Sequence, residues 1–173
     1  GEKITPRFSF LNPVITVCTN LEFDHPDVYK DFQETYSTFQ TFFERIQPNG
    51  TLIYNAENDD LKKLAHQVTQ SNNRKSIGFG ENTDSTLRLL GYNSLEGLAA
   101  GLFSWGEKYT FSLHIPGKYN AYNMLAAVAA CAAAGIAPEE SVAALKTFRS
   151  TSRRCEYIGE KKNVQYYDDY AHH

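Results

Sequence analysis

The segment VITVCTNLEFDHPD, residues 14–27, joins a strand signal to a polar loop and determines how the rest of the chain is interpreted. Its first six residues are apolar or β-branched, as is typical of a strand buried in a parallel sheet. Pro26 disfavours a helical conformation at His25, so a loop is predicted at the carboxyl end of this strand. Open α/β sheets bind their ligands at such ends. The segment therefore predicts both a sheet and a candidate binding loop.

Helix and strand signals alternate after this loop. Apolar residues recur at helical spacing over residues 32–46, and residues 51–55 and 75–79 form two further short apolar runs. Asn58 or Asp59 is predicted to cap a helix between these two runs. Strands separated by helices indicate a parallel sheet with helical crossovers.

The pattern changes between residues 86 and 115, where short alternating runs are broken by glycines. We interpret this part as a small antiparallel region with a hairpin around Gly106. The predicted fold class is therefore α/β, with a mostly parallel sheet, helical crossovers and a small antiparallel subregion.

Two helices and a hairpin are predicted after residue 115. The first helix runs from Tyr119 to Ala134 and is closed by Gly135. The second is opened by Pro138 and runs over residues 139–148. The hairpin is predicted to turn at residues 159–162.

Composition and charge argue against several functional classes. The chain is 42% hydrophobic and 21% charged, with a net charge of −3, so a nucleic-acid partner is not expected. The longest apolar run, residues 124–134, is too short to span a bilayer, and no membrane partner is expected. Three scattered cysteines without a CxxC motif favour a reduced cytoplasmic protein with buried thiols.

Three places in the first 154 residues carry side chains suited to ligand chemistry, and each has a simpler alternative. Asp24 and His25 are suited to a divalent cation, but such pairs also form loop salt bridges. Asn120 and Asn123 lie on one helix face and can pair with the edge of adenine, unless Asn120 only caps its helix. Arg154, with the arginine before it, can clamp a phosphate or remain solvated.

The last six residues, DDYAHH, form a fourth candidate. Two carboxylates and two imidazoles after a strand are suited to a metal, a ribose or a phosphate, although a purification tag would also account for the final histidines. No GxxxxGK[ST] motif occurs, so the sequence lacks the loop that cradles nucleotide phosphates in many α/β enzymes.

Four strings in this order, TNLEFDHPDVY, GKYNAYNMLAA, FRSTSRRCEYIG and YDDYAHH, resemble the Mur ligases, the ATP-dependent amide ligases of peptidoglycan precursor synthesis. The resemblance extends from about Phe10 to His173. It implies that residues 1–148 are most of a central ATP-binding domain whose phosphate loop lies upstream. Residues 149–173 would be the hinge and first strands of a C-terminal domain. Such a fragment is expected to be inactive alone.

The resemblance also implies roles for individual residues. Mg²⁺ is expected at His25 and Glu2, and His172 is expected near the substrate carboxylate. ATP is expected to contact four residues: Asn120, Asn123, Arg154 and Asp169. Of these candidates, His25, Arg154 and His172 are expected to act in catalysis.

Within the family, the strings most resemble the bacterial cytoplasmic ligases that join L-alanine to UDP-N-acetylmuramate through an acyl phosphate. The partners implied are ATP, Mg²⁺, UDP-N-acetylmuramate and an amino acid or peptide. Three alternatives stay open: a recycling ligase that adds a tripeptide, a non-catalytic nucleotide-binding module, and a metal-dependent hydrolase. The hydrolase would use Asp24, His25, Asp169 and His172.

Overall fold

The computed structural model describes residues 5–70, 73–95 and 98–170, and these form a layered α/β structure. The elements follow a 3-10 turn at Arg7–Phe10 and are, in order, β1 (Ile15–Cys18), α1 (Phe32–Glu44), β2 (Thr51–Asn55), α2 (Asp59–Thr69), β3 (Lys75–Gly80), β4 (Leu87–Leu95), β5 (Leu98–Trp105), β6 (Glu107–Leu113), α3 (Lys118–Ala133), α4 (Pro138–Leu145), β7 (Glu156–Lys161) and β8 (Val164–Asp168). None of the helices in these ranges has the length and apolar character needed to cross a membrane.

One six-stranded sheet has the order β1-β2-β3-β4-β5-β6. Strands β1 to β4 pair in parallel, and Ile15 lies opposite Thr51 at the start of β1 and β2. Strands β4, β5 and β6 pair antiparallel, with a tight turn between Trp105 and Glu107. The predicted fold class is confirmed, and the antiparallel region proves to extend the parallel sheet rather than to stand apart from it.

The two faces of the sheet are covered by different helices. Leu52 and Tyr54 of β2 pack with α1 and α2, whereas Ile53 packs on the other face with α3. Ala121 and Ala129 of α3 are fully buried, which lets the helix backbone approach the strands closely. The alanine-rich run is therefore a packing surface.

Two predicted boundaries are wrong. Helix α4 ends at Leu145, three residues before the predicted Phe148, because the chain continues in tighter turns in which Phe148 N–H donates to the Leu145 carbonyl. The final hairpin turns at Lys162 and Asn163, both with positive φ, as tight two-residue hairpin turns require. Gly159 instead lies at an irregularity in the pairing of β7 with β8.

The Arg74 guanidinium group joins the ends of two helices. It donates to the carbonyl oxygens of Glu44, Ile46 (2.7 Å) and Val68 (3.2 Å). These carbonyls lie at or just beyond the carboxyl ends of α1 and α2, where a cation is favourable.

Replacing Arg74 with alanine is expected to lower the free energy of unfolding by about 2 kcal/mol, because the carbonyls lose a shared charged donor. Urea unfolding would measure the loss. Arg74→Lys should recover only a minor part of it, since an ammonium group cannot reproduce the guanidinium fork. Full recovery by lysine would mean that charge alone matters.

Candidate functional site

A cleft of about 1180 Å³ lies where several parts of the fold meet. Its lining comes from the residues that follow β1, the ends of β2 and β6, the first turns of α3, the segment from the end of α4 towards β7, and the residue after β8. The apolar lining residues are Leu113, Ile115, Met124, Ala127, Leu145 and Phe148. The other lining residues are mainly polar. Such a mixture suits a ligand with one flat apolar part and one charged part.

The first turns of α3 bring two asparagines into the cleft. Asn120 donates to the Pro116 carbonyl (2.6 Å), and Asn123 donates to the Asn120 side-chain oxygen (3.4 Å). The helix N-cap is Gly117, which has φ +99°. Asn120 is therefore not the cap, and its bonds orient the carboxamide of Asn123 instead.

Glu81, in the loop after β3, contacts the side chains of the first turns of α3. Its carboxylate accepts from Lys118 Nζ (2.7 Å) and from the Tyr122 hydroxyl (3.1 Å). Glu57 in turn accepts from the backbone N–H groups of Glu81 and Asn82. The hydrogen bond from Lys118 lowers the pKa of Glu81, and the same bond raises the pKa of Lys118. Burial, followed by the nearby Glu81 charge, raises the pKa of Tyr122.

The ion pair between Glu81 and Lys118 makes a pH-dependent contribution to stability. Because the Glu81 pKa is lowered by folding, this contribution is complete above the ordinary glutamate pKa and is lost as the pH falls through the folded value. Lys118→Met is expected to return the Glu81 pKa towards its ordinary value, as measured by NMR titration of the carboxyl carbon. Lys108→Met, at an exposed lysine of β6, should leave it unchanged. An unshifted Glu81 pKa in Lys118→Met would contradict this interaction.

The segment between α4 and β7 places Arg154 on the same cleft as Asn120 and Asn123, and the end of β8 places Asp169 there. Asp169 Oδ2 accepts from the backbone N–H of Cys155 (2.9 Å). Arg153 instead lies over the ring of Tyr170, with 4.5 Å from its guanidinium carbon to the ring centre. Of the two adjacent arginines, Arg154 is thus the one on the cleft.

The loop after β1 places Asn20 and Glu22 on the cleft, with His25 further along. His25 has φ +56°, and its Nε2 and Nδ1 atoms lie 3.3 Å from Asp24 and 3.9 Å from Asp27. The side chains of Asp24 and His25 therefore contact each other within the loop. The described part of the chain contains no group of three or more His, Cys, Asp or Glu side chains placed to hold a metal ion.

The structure thus brings together the four residues expected to contact a nucleotide, but it leaves the metal expectation without a complete ligand set. Glu2 and His172 lie outside the described residues. The cleft chemistry fits a nucleotide: amides for a base, a carboxylate for hydroxyl groups and a guanidinium group for phosphates.

A family model described as the Mur ligase middle domain matches residues 3–131. The chain belongs to the Mur ligase family. The predicted resemblance is therefore confirmed.

Named relatives and solved structures extend this assignment. A UDP-N-acetylmuramate–L-alanine ligase from Arthrobacter sp. (strain FB24) is 35% identical over 95% of this chain, which spans only 35% of that relative. The fold also matches MurF from Acinetobacter baumannii, with a TM-score of 0.79 and 19% identity over 94% of this chain and 35% of that one. MurF ligase from Thermotoga maritima, in complex with ADP, matches with a TM-score of 0.75 and 18% identity over 90% and 35% of the two chains.

Sequence reasoning missed residues in and beside this Mur ligase cleft. Asn55 ends β2 and lines the cleft, and Glu81 follows β3 and contacts the first turns of α3. A usable signal was present, because polar residues at the carboxyl ends of adjacent parallel strands converge on one edge of a sheet. The pairing of Glu81 with Lys118 had no such signal, since it depends on the path of a loop.

Proposed function

We propose that this chain is the nucleotide-binding part of a ligase that uses ATP and Mg²⁺ to join L-alanine to UDP-N-acetylmuramate. The observation that carries the proposal is the meeting of Asn120, Asn123, Arg154 and Asp169 on one cleft, although they come from separate parts of the sequence. The name of the Arthrobacter relative supports the choice of substrates, and the ADP complex of the Thermotoga MurF ligase supports the choice of nucleotide.

The cleft residues suit distinct parts of ATP. Asn123 offers both a donor and an acceptor to the edge of adenine, with Asn120 fixing its orientation. Asp169 has one carboxylate oxygen bonded to Cys155 N–H, which leaves the other for a ribose hydroxyl. Arg154 supplies forked donors for phosphate oxygens. The exposed ring of Tyr119, 58% accessible at the cleft, provides a flat surface beside the base.

The proposed reaction has two steps. The UDP-N-acetylmuramate carboxylate attacks the γ-phosphate of ATP, which forms an acyl phosphate and releases ADP. The L-alanine amine then attacks the acyl carbon, and loss of phosphate and of a proton leaves the amide. For this chain, the work is positioning and charge stabilisation rather than covalent catalysis. We propose that His25 contributes one ligand to Mg²⁺, with the remaining ligands from outside the described residues. We also propose residues 1–148 as part of a central domain and residues 149–173 as the beginning of the next.

Phosphate release by the full-length gene product would test this function. The protein would receive Mg-ATP and UDP-N-acetylmuramate, with L-alanine in one reaction and the L-Ala–D-Glu–diaminopimelate tripeptide in the other. Release only with L-alanine is the expected result. Release only with the tripeptide would assign the recycling activity instead, and release with neither would overturn the proposal.

Asn123→Ala is expected to weaken ADP binding about tenfold, because the base loses a paired donor and acceptor. Titration calorimetry on the full-length protein would measure the dissociation constant. Asn93→Ala, at an exposed asparagine of β4, removes the same side chain away from the cleft and should leave binding unchanged. Equal affinity in the wild type and Asn123→Ala would remove Asn123 from the base site.

A further inference from the structure

Asn58 joins the start of α2 to the loop that follows β1. Its side-chain oxygen accepts from the Leu61 backbone N–H (2.9 Å) and so caps the helix. Its side-chain nitrogen donates to Asn20 Oδ1 (2.9 Å) and to the Leu21 carbonyl (2.9 Å). One carboxamide thus makes three hydrogen bonds to two separate elements.

Only the first of these bonds is needed for the helix. Aspartate and serine accept the N-cap hydrogen bond as well as asparagine does. The two donated bonds require the amide nitrogen, and they join α2 to the loop after β1. Leu21 is 4% exposed, so water has little access to replace a lost donor at its carbonyl.

The loop that Asn58 holds contributes to the nucleotide cleft. Asn20 and Glu22 line the cleft, and His25 lies three residues beyond Glu22. Asn20 is further fixed by the Cys18 thiol, which donates to its carbonyl (3.3 Å). Asn58 itself is not among the cleft-lining residues, so it acts through the loop.

We propose that Asn58 is a positioning residue for the nucleotide site, and that its two donated hydrogen bonds set the conformation of residues 19–25. This inference rests on the proposed function, because it assumes that the cleft binds a nucleotide. It assigns to Asn58 a role separate from capping: the cap serves stability, and the amide donors serve binding.

Two substitutions separate these roles. Asn58→Asp keeps the acceptor for Leu61 N–H but places an oxygen against the two oxygens of Asn20 and Leu21. Asn58→Ser also keeps a capping acceptor and adds no charge, so it controls for repulsion between a new carboxylate and the nucleotide phosphates. Asp31→Ala is the matched stability control. Asp31 caps α1 by accepting from Glu34 N–H (2.9 Å) and does not line the cleft.

The experiment combines ADP titration calorimetry with amide hydrogen exchange on the full-length protein. Both Asn58 variants are expected to weaken ADP binding about tenfold and to speed exchange in residues 19–25, while exchange in α2 stays slow. Asp31→Ala should lower thermal stability without changing either readout. If the wild type binds ADP and both Asn58 variants bind it with the same affinity, this inference is overturned and the proposed function is not. Equal weakening of ADP binding in Asp31→Ala would overturn the inference in the same way. Failure of the wild type to bind ADP would overturn the proposed function and, with it, this role of Asn58.

Discussion

Replacing His25 with alanine in the full-length protein is expected to lower the kcat of the proposed reaction by about 100-fold or more while leaving the protein folded. The imidazole lies in the loop at the carboxyl end of β1, where we propose that it binds Mg²⁺ together with groups outside the described residues. Its side chain is 62% exposed, so its removal costs little packing energy. Phosphate release at saturating ATP would measure the effect, and circular dichroism would establish that the fold is intact.

Two variants serve as controls for the His25 substitution. His66→Ala removes an exposed imidazole from the last turn of α2 and should leave kcat unchanged. His25→Asn tests the backbone, because His25 has φ +56° and asparagine tolerates this conformation better than alanine does. If His25→Asn is as slow as His25→Ala, the imidazole itself is required. Wild-type turnover in His25→Ala would exclude this residue from the metal site.

Replacing Gly101 with valine is expected to lower the free energy of unfolding by about 4 kcal/mol, the largest stability loss predicted for this chain. Gly101 lies in β5 between two strands that approach it closely. A Cβ atom added there would lie 2.3 Å from the Gly91 carbonyl oxygen and 2.6 Å from the Phe111 ring. The backbone carbonyl cannot move without disturbing the pairing of β4 with β5. Chemical denaturation would measure the loss.

Gly91→Val is the matched control for this substitution. Gly91 lies in the neighbouring strand β4, and a Cβ atom added there would have nothing within 4 Å. Valine favours extended backbone, so Gly91→Val should be neutral or slightly stabilising. Similar losses at both positions would mean that glycine matters here for backbone flexibility rather than for the space it leaves.

The sequence predicts the parallel half of the fold well because its signals are local. Residues 51–55 form a short apolar run between Gly50 and a polar segment, and β2 has those bounds. Gly159 leads to a wrong position for the final turn, because glycine occurs both in turns and at irregularities of strand pairing. Only the observed pairing of β7 with β8 distinguishes the two cases. The end of α4 is missed for a similar reason, since residues 146–148 keep a helical composition while making turn hydrogen bonds.

The candidate site is predicted in part. Asn120, Asn123, Arg154 and Asp169 were expected from the family resemblance, and they lie on one cleft. Asn58 was predicted only as one of two candidate caps. Its bonds to Asn20 and Leu21 join positions far apart in the sequence, so no local pattern indicates them.

The mixed strand order of the sheet has a consequence for folding kinetics. The antiparallel strands β4, β5 and β6 are consecutive, and Trp105 pairs with a residue two positions away, so little chain entropy is lost when this meander closes. Strands β1 and β2 pair only after an entire helix has been placed between Ile15 and Thr51. Topology of this kind favours early formation of the meander, which then offers an edge on which the slower parallel strands assemble.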